Sequence, residues 1–349
     1  MKLPAVSILI PTKNNAKTIA QCLDSVMSLN YPKGNLEVHV IDAFSKDGTR
    51  EILKKYKRKP SKFPLHVTEA DLNVPKSYNM ILKKARGELI GFLDGDAIVD
   101  RNWLRALVPN LKQPGIGGAG GIVYTQNREN KFARSVGYEL QDRFENMPKY
   151  CTRLPTDNLI VKKDILRLGF DEHLYTGYDA DLCYSIVKRG LLIVYDRKAK
   201  VFHYHRDTVR KFFKQQFHYG FNAIRLYLKH GSFLFHDTKT RGDMFIQPPI
   251  FLTASLLFVL GIIARLRRPP ESILWLAFFA LGGLVLALLL ILYFVQAYRL
   301  ARKFNDFSSI PRLLVIFITR MLAWTVGGIY GSLETIPALL LHKIRGSKR

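Results

Sequence analysis

The chain has 349 residues, a length that allows one large domain plus an appendage. Its 53 Lys and Arg residues against 28 Asp and Glu residues give a formal charge of +25, which predicts a polyanionic partner: nucleic acid, an anionic lipid surface or a phosphorylated ligand. The three cysteines are scattered without C-x-x-C spacing, so they indicate neither a disulfide framework nor a zinc site and fit a reducing compartment.

Strand patterns alternate with helix patterns along the first part of the chain. The predicted strands are 6–10, 36–41, 65–67 and 89–93, and the predicted helices are 16–29, 49–56, 74–85 and 103–111. The N-terminal apolar stretch is too short for a signal peptide and is predicted to be the first strand, which places this part of the protein in the cytoplasm. The alternation predicts an α/β fold with a mostly parallel, Rossmann-like sheet.

The next part of the chain is less regular. Its predicted elements are a glycine-rich strand at 117–124, a polar and partly helical insertion at 128–155, a strand at 158–161, a helix at 179–189 and strands at 191–195 and 200–205. The four glycines of the first strand (Gly117, Gly118, Gly120 and Gly121) lack the spacing of a nucleotide-binding loop. We therefore expect them to allow close packing of backbones.

The last third of the chain has the pattern of a membrane protein. A basic, aromatic-rich amphipathic helix is predicted at 208–231 and is expected to lie in a membrane interface, with an ordinary surface helix as the alternative. Three apolar segments, 249–264, 273–297 and 313–341, predict transmembrane helices in a multi-pass membrane protein. The predicted domains are therefore 1–207, 208–247 and 248–349, and this distribution of charge and hydropathy favours a membrane over nucleic acid as the partner.

The most informative motif is Asp94-Gly95-Asp96, which directly follows the apolar strand 89–93. A strand of this kind delivers carboxylates to the edge of an α/β sheet where ligands bind. Carboxylate oxygens suit a hard divalent cation, Mn²⁺ or Mg²⁺, and such a cation suits a pyrophosphate.

Four motifs occur in an order that resembles the inverting, GT-A-fold glycosyltransferases of family 2, over about residues 5–220. They are Ile10-Pro11-Thr12-Lys13-Asn14, the strand end at Asp42, Gly87-Glu88-Leu89-Ile90, and Asp94-Gly95-Asp96. Ala43 and Phe44 depart from the family's usual continuation after Asp42. The resemblance implies a nucleotide site formed by Pro11, Asn14, Asp42, Asp71 and Asp94, and a metal held by Asp96 with Asp94.

Tyr178-Asp179 resembles the family's segment that bears the catalytic base, so Asp179 is expected to take the proton of the acceptor. A helix N-cap or first-turn acid is the structural alternative for this residue. His203 and His205 alternate along a predicted strand and are expected either to pack there or to contact metal or diphosphate, with His205 as a metal ligand.

The membrane-anchored, cellulose-synthase-like branch of the family carries Gln-x-x-Arg-Trp before its interface helix. Gln215, His218 and Tyr219 fit that register, which implies contacts to the acceptor and the diphosphate. Arg320 lies inside an apolar segment and is a functional candidate for the same role, with Glu334 or a lipid phosphate as its expected partner.

These residues predict an inverting membrane glycosyltransferase that moves a hexose from a nucleotide sugar to a polyprenyl (dolichyl-type) phosphate-linked acceptor. The resemblance to polyprenyl-phosphate mannosyltransferases favours GDP-mannose as the donor. One alternative is a processive polysaccharide synthase that uses a UDP-sugar. The other is a non-catalytic, basic, membrane-tethered protein that binds lipid or nucleic acid.

Overall fold

The computed structural model describes residues 3–231, 237–240, 242–267 and 273–346. They divide into two compact units, each built from separate stretches of the chain. The sheet unit comprises Met1–Glu129, Leu140–His205 and Leu226–Lys239, and the helical unit comprises Asn130–Glu139, Arg206–Arg225 and Thr240–Arg349. The predicted domain boundaries at 207 and 247 stay predictions.

Strands and helices alternate through the sheet unit. In chain order they are β1 (Val6–Thr12), α1 (Ile19–Met27), β2 (Leu36–Asp42), α2 (Thr49–Arg58), β3 (Leu65–Glu69), α3 (Val74–Leu82), β4 (Leu89–Phe92), β5 (Ala97–Val99), α4 (Trp103–Leu111), β6 (Ile116–Thr125), β7 (Tyr150–Cys151), β8 (Leu159–Lys162), α6 (Tyr178–Lys188) and β9 (Leu192–His203). Helix α5 (Lys131–Glu145) belongs to both units by sequence, as does α7 (Val209–His230).

Within the described residues, nine strands form one mixed sheet in the order β3-β2-β1-β4-β8-β6-β9-β5, with β7 paired to β9. Strands β1 to β4, β6 and β9 run in one direction, because β8 pairs antiparallel with both β4 and β6. The predicted α/β class with a mostly parallel sheet is confirmed.

Two strand predictions were wrong in detail. The strands predicted at 191–195 and 200–205 form the single strand β9, and a register shift opposite β6 between Gly120 and Ile122 accommodates its polar middle. The three-residue strand β5 was not predicted, because it is too short to show a periodic pattern.

Apolar side chains cover both faces of the sheet. One core contains α1 and α4 packed on β1 and β2, and its largest fully buried residue is Trp103. The other contains α3 and α6, where Tyr78, Phe92 and Phe170 pack edge to face or tilted with ring centroids 4.8–5.4 Å apart. Burial on both faces is expected of strands that read as continuous apolar runs.

The glycines of β6 pack against neighbouring backbones, as predicted. A Cβ on Gly120 would lie 2.1 Å from the carbonyl oxygen of Asn158, and one on Gly121 would lie 2.0 Å from that of Ala199. Only glycine fits such approaches. Gly120 therefore sets how closely β6 approaches Asn158, the residue directly before β8.

We expect Gly120→Ala to destabilise the protein by about 1–3 kcal/mol or more, because the new methyl group overlaps a backbone oxygen that cannot rotate away. Thermal unfolding of the purified protein measures the change. The matched control is Gly34→Ala, since nothing lies within 4 Å of the added methyl group there. Equal unfolding temperatures for the two variants would contradict the close contact.

The helical unit contains three helices that are long and apolar enough to cross a membrane, among the residues the structure describes. The candidate spans are Met244–Arg267, Leu274–Lys303 and Phe307–Pro337, within the helices α8 (Gly242–Arg267), α9 (Leu274–Lys303) and α10 (Ile310–Gly346). Their number agrees with the predicted three spans.

Close helix contacts and an ion pair hold the helical unit together. A Cβ on Gly327 of α10 would lie 2.2 Å from the carbonyl oxygen of Phe217 on α7, so the two helices approach closely there. Arg320 is buried and donates to both carboxylate oxygens of Glu139, each at 2.6 Å.

The expectation that Arg320 pairs with Glu334 was wrong. Arg320 pairs with Glu139, and Glu334 accepts instead from Arg225 at 2.9 Å. Arg320 and Glu334 lie on the same continuous helix α10. They are fourteen residues apart, which is about 21 Å along the helix axis. Side chains so far apart on one helix cannot meet.

Candidate active site at the carboxyl edge of the sheet

Acidic residues from several strands meet at one edge of the sheet. The parallel strands β1, β2 and β4 end at Thr12, Asp42 and Phe92, and Thr12 pairs with Asp42 in register. Strand β8 runs in the opposite direction, so Asp157, which precedes it, lies at the same edge. This is the edge at which open α/β sheets bind ligands.

Two of the predicted carboxylates gather there with a histidine and an unpredicted aspartate. Ligand atoms of Asp94, Asp157 and His203 all lie within 4.8 Å of one another. The His203 Nε2 atom is 3.2 Å from the Asp96 carboxylate. Oδ1 of Asp157 is buried and accepts no hydrogen bond from the described residues, so this oxygen is available to a cation. We call these four residues the acid cluster.

Charge interactions within the acid cluster change the protonation of its members. Burial acts to lower the pKa of His203, but the carboxylate of Asp96 outweighs it and raises that pKa to about 9. Burial raises the pKa of Asp157 above its usual value. Such perturbed groups, close together at a ligand-binding edge, are typical of an active site.

Asp179 lies in the first turn of α6 and is buried in an ion-pair network. Arg153 donates to Asp179 Oδ2 at 3.0 Å from one terminal nitrogen and to Asp237 at 3.0 Å from the other. The Lys239 ammonium lies 3.9 Å from Asp179. Burial alone would raise the pKa of Asp179, but Arg153 and then Lys239 hold it below the usual range, so the carboxylate is ionised at neutral pH.

The acid cluster and the Asp179 network belong to one polar site. Asp157 interacts electrostatically with His203, Lys239, Asp96 and Asp179. The buried Tyr78 also senses the charges of Asp94, Asp157 and Asp179. The acid cluster and Asp179 are therefore close enough for their charges to interact.

The loops after β1 and β2 form the other predicted contacts. Asp42 is fully buried and accepts from the backbone N–H of Ser45 at 2.8 Å. Asn14, which follows the predicted contact Pro11, has a φ of 55° and accepts from the backbone N–H of Lys46 at 2.9 Å. The two loops are thus joined.

Other predicted site residues lie in different surroundings. Asp71 is exposed and lies 3.7 Å from the Lys13 ammonium. His205 follows the end of β9, with its Nδ1 atom 3.4 Å from that of His203. The predicted acceptor residues all belong to the helical unit, where their roles stay predictions: they are Gln215, His218, Tyr219 and Arg320.

Sequence reasoning missed Arg153, Asp157, Asp237 and Lys239. Asp157 carried a usable signal, because an acid directly before an antiparallel strand lies at the same edge as acids that follow parallel strands. The other three lie in irregular segments, and no periodicity or motif indicates that they approach Asp179.

Comparison with known proteins identifies the family. The model named Glycosyl transferase family 2 matches residues 7–162, and that of Glycosyl transferase family group 2 matches residues 89–329, more than half of the chain. The chain is a family 2 glycosyltransferase. The resemblance inferred from the motifs is confirmed, and family membership favours the enzyme over the non-catalytic alternative.

Archaeal proteins are among the relatives of this glycosyltransferase. The glycosyltransferase AglE of Haloferax volcanii is 28% identical over 236 residues, which cover 65% of this chain and 75% of that protein. A Methanococcus voltae protein is 26% identical over 274 residues, covering 73% and 83%, and its name is dolichyl N-acetyl-alpha-D-glucosaminyl phosphate 3-beta-D-2,3-diacetamido-2,3-dideoxy-beta-D-glucuronosyltransferase.

The fold of the glycosyltransferase also has a solved counterpart. The mannosyltransferase PcManGT from Pyrobaculum calidifontis, solved with GDP-Man and Mn²⁺, superposes with a TM-score of 0.59 at 20% identity. The match covers 95% of this chain and 88% of that one, so the likeness in fold extends beyond the sheet unit. The predicted GT-A fold followed by helices is confirmed.

We expect Arg153→Met to lower the free energy of unfolding by about 3–5 kcal/mol at pH 7, because it leaves Asp179 and Asp237 buried without their shared cation. The pKa of Asp179 is depressed in the folded state. Its contribution is therefore present above the unfolded pKa of about 3.9 and is lost as the pH falls through the folded value.

The difference in the free energy of unfolding between wild type and Arg153→Met should therefore become smaller below about pH 4. Unfolding measured at a series of pH values tests this. Arg50→Met, which removes the more exposed Arg50–Glu69 pair, is the control and should lower the free energy of unfolding far less than Arg153→Met does. If Arg153→Met lowers the free energy of unfolding by the same amount from pH 7 to pH 3, Arg153 stabilises the protein by packing alone.

Proposed function

We propose that this glycosyltransferase moves a hexose, with mannose from GDP-mannose favoured, to a polyprenyl or dolichyl phosphate-linked acceptor at a membrane. The gathering of Asp94, Asp96, Asp157 and His203 at the carboxyl edge of the sheet carries the proposal. The GDP-Man in the Pyrobaculum structure supports the donor, and the dolichyl phosphate in the name of the Methanococcus relative supports the acceptor class.

A divalent cation, Mn²⁺ or Mg²⁺, fits the acid cluster. Three carboxylates suit such an ion, and His203 would release its proton on joining them, while the buried Oδ1 of Asp157 has no other partner among the described residues. The cation would neutralise the charge that develops on the diphosphate leaving group. Without it, Asp94, Asp96 and Asp157 would repel a nucleoside diphosphate, so we propose that donor binding requires the ion.

The joined loops after β1 and β2 are proposed to receive the nucleoside. Asp42 and Asn14 are positioned there by hydrogen bonds to the backbone of Ser45 and Lys46. Such backbone contacts fix the side chains before a ligand arrives, which reduces the entropy lost on binding. Asp71 lies on the open side of the same edge, where the Lys13 ammonium is its near neighbour.

We propose that Asp179 accepts the proton of the acceptor hydroxyl as this oxygen attacks the anomeric carbon. Arg153 keeps the carboxylate ionised, as a base requires, and also fixes its direction by donating from Nε to Oδ2 and from a terminal nitrogen to Oδ1, each at 3.2 Å. The same ion pair weakens Asp179 as a base. Proton transfer is then expected late in the displacement, when the attacking oxygen has become more acidic.

Attachment to a membrane favours the proposal of a lipid-linked acceptor, since an enzyme that acts on a water-soluble acceptor needs no membrane anchor. The three candidate spans and the basic, aromatic-rich helix α7 are consistent with this assignment. We further propose that the sheet unit lies in the cytoplasm, where nucleotide sugars are made. A processive synthase that uses a UDP-sugar is the weaker alternative, because a polymer tunnel in that branch of the family uses about twice as many spans.

Asp157→Asn should abolish most cation binding and lower transferase activity by about 100-fold or more, because it removes a charged ligand at the diphosphate. Radiolabelled GDP-mannose with a polyprenyl phosphate acceptor, assayed with Mn²⁺ and with chelator, measures the effect. The matched control is Asp164→Asn, an exposed acid that follows β8 where Asp157 precedes it. Equal activity in the two variants would exclude Asp157 from the site.

Asp179→Asn should affect two acceptor classes differently. On a glycosylated polyprenyl phosphate, whose nucleophile is a hydroxyl, kcat should fall by about 10²–10⁴, because the base is lost. On an unglycosylated polyprenyl phosphate the acceptor oxygen is already ionised, so the fall should be below about tenfold. Equal losses on both acceptors would mean that Asp179 positions the substrate and takes no proton.

A further inference from the structure

A second group of metal-type ligands lies on the sheet unit, away from the acid cluster. Glu37 and His39 are two residues apart on β2 and so point to the same face of the sheet. His66 is paired with His39 in register on the neighbouring strand β3. His39 precedes Asp42 at the end of β2 by about 10 Å of extended strand, which separates this trio from the candidate active site.

The three side chains converge on a small volume. Ligand atoms of Glu37, His39 and His66 all lie within 4.8 Å of one another. The Nε2 atom of His39 is 3.2 Å from Glu37 Oε1, and that of His66 is 3.9 Å from Glu37 Oε2. Bonds of about 2.0–2.1 Å to a tetrahedral Zn²⁺ imply ligand atoms about 3.3–3.4 Å apart, so only small side-chain rotations are needed.

The trio has the features of a prepared site. Oε1 of Glu37 accepts from the Ser7 hydroxyl at 2.6 Å and from the backbone N–H of Arg86 at 2.7 Å, which fixes the carboxylate and directs Oε2 towards His66. His39 is 7% exposed, and its Nε2 atom lies 3.2 Å from Glu37 Oε1, a direct contact that a bound cation would replace.

Solvent access fits the same assignment. His66 is half-exposed, which leaves an open path from solvent.

We propose that Glu37, His39 and His66 bind a zinc-type divalent cation, with water in the remaining position. Two imidazoles and one carboxylate favour Zn²⁺ over Mg²⁺ or Mn²⁺, whereas the acid cluster with its three carboxylates favours the harder ions. The cysteine spacing in the sequence does not indicate this site, because the proposed ligands are two imidazoles and a carboxylate from two strands. The bound ion would link the edge strand β3 to β2 and stabilise that edge of the sheet.

The test uses the full chain, purified in detergent, stripped with chelator and titrated with Co²⁺ and then Zn²⁺. We expect one tight site that gives the intense visible absorption of tetrahedral Co²⁺ and is bleached by Zn²⁺, and a rise in unfolding temperature with Zn²⁺. His66→Ala should lower the affinity by about tenfold or more and remove both signals. Because His66 is half-exposed, this variant should fold.

Two controls separate this site from other metal binding. His173→Ala, at an exposed histidine, and Asp157→Asn, in the acid cluster, should both keep the Co²⁺ absorption and the Zn²⁺ effect. Three outcomes would overturn the proposal. The Co²⁺ absorption could persist in His66→Ala, disappear in Asp157→Asn, or be absent from wild type. The readouts need no sugar transfer, so they stand whether or not the proposed function holds.

Discussion

The contact between the backbones of Gly120 and Asn158 is the constraint on which the site depends. It brings β6 against the residue directly before β8, and β8 runs antiparallel to both of its neighbours, β4 and β6. This reversal puts Asp157 at the edge where β4 delivers Asp94 and Asp96. A side chain on residue 120 would move β6 and β8 apart, and the spacing of the carboxylates would change with them.

The negative charge of these clustered carboxylates is neutralised by two groups of cations. His203 is held protonated beside Asp96 in the acid cluster, and Arg153 with Lys239 neutralises Asp179 and Asp237 nearby. Removing any of these cations leaves carboxylates buried together, which is more costly than never having buried them. Stability is therefore linked to the candidate site at this edge, since Arg153 neutralises Asp179 and also joins it to Asp237.

Most of the sheet unit could be predicted from the sequence, because its strands are apolar runs ended by glycine, proline or acids. The first four strands, and the acids at Asp42, Asp94 and Asp96, follow from that pattern. The pattern does not predict strands that form because they pair with residues distant in the sequence. Strand β5 has only three residues, and β9 continues through a polar stretch whose sequence is typical of a turn.

The same limit explains the missed site residues. Arg153 and Asp237 are 84 residues apart and meet only in the folded chain, and Arg320 pairs with Glu139 over a separation of 181. Short-range motifs contain no information about such pairs. Glu334, one of the two partners expected for Arg320, lies on the same helix α10 fourteen residues away and is too distant to pair with it.

The Glu139–Arg320 pair has a consequence for how the chain is made. An arginine near the centre of an apolar helix costs about 2.5–3.5 kcal/mol to insert into a bilayer. Glu139 is synthesised long before Arg320 leaves the ribosome, so its carboxylate is present when the last candidate span emerges. In the folded chain this acid, 181 residues earlier, neutralises the arginine of the last candidate span, and a chain that loses it keeps an uncompensated cation in that helix.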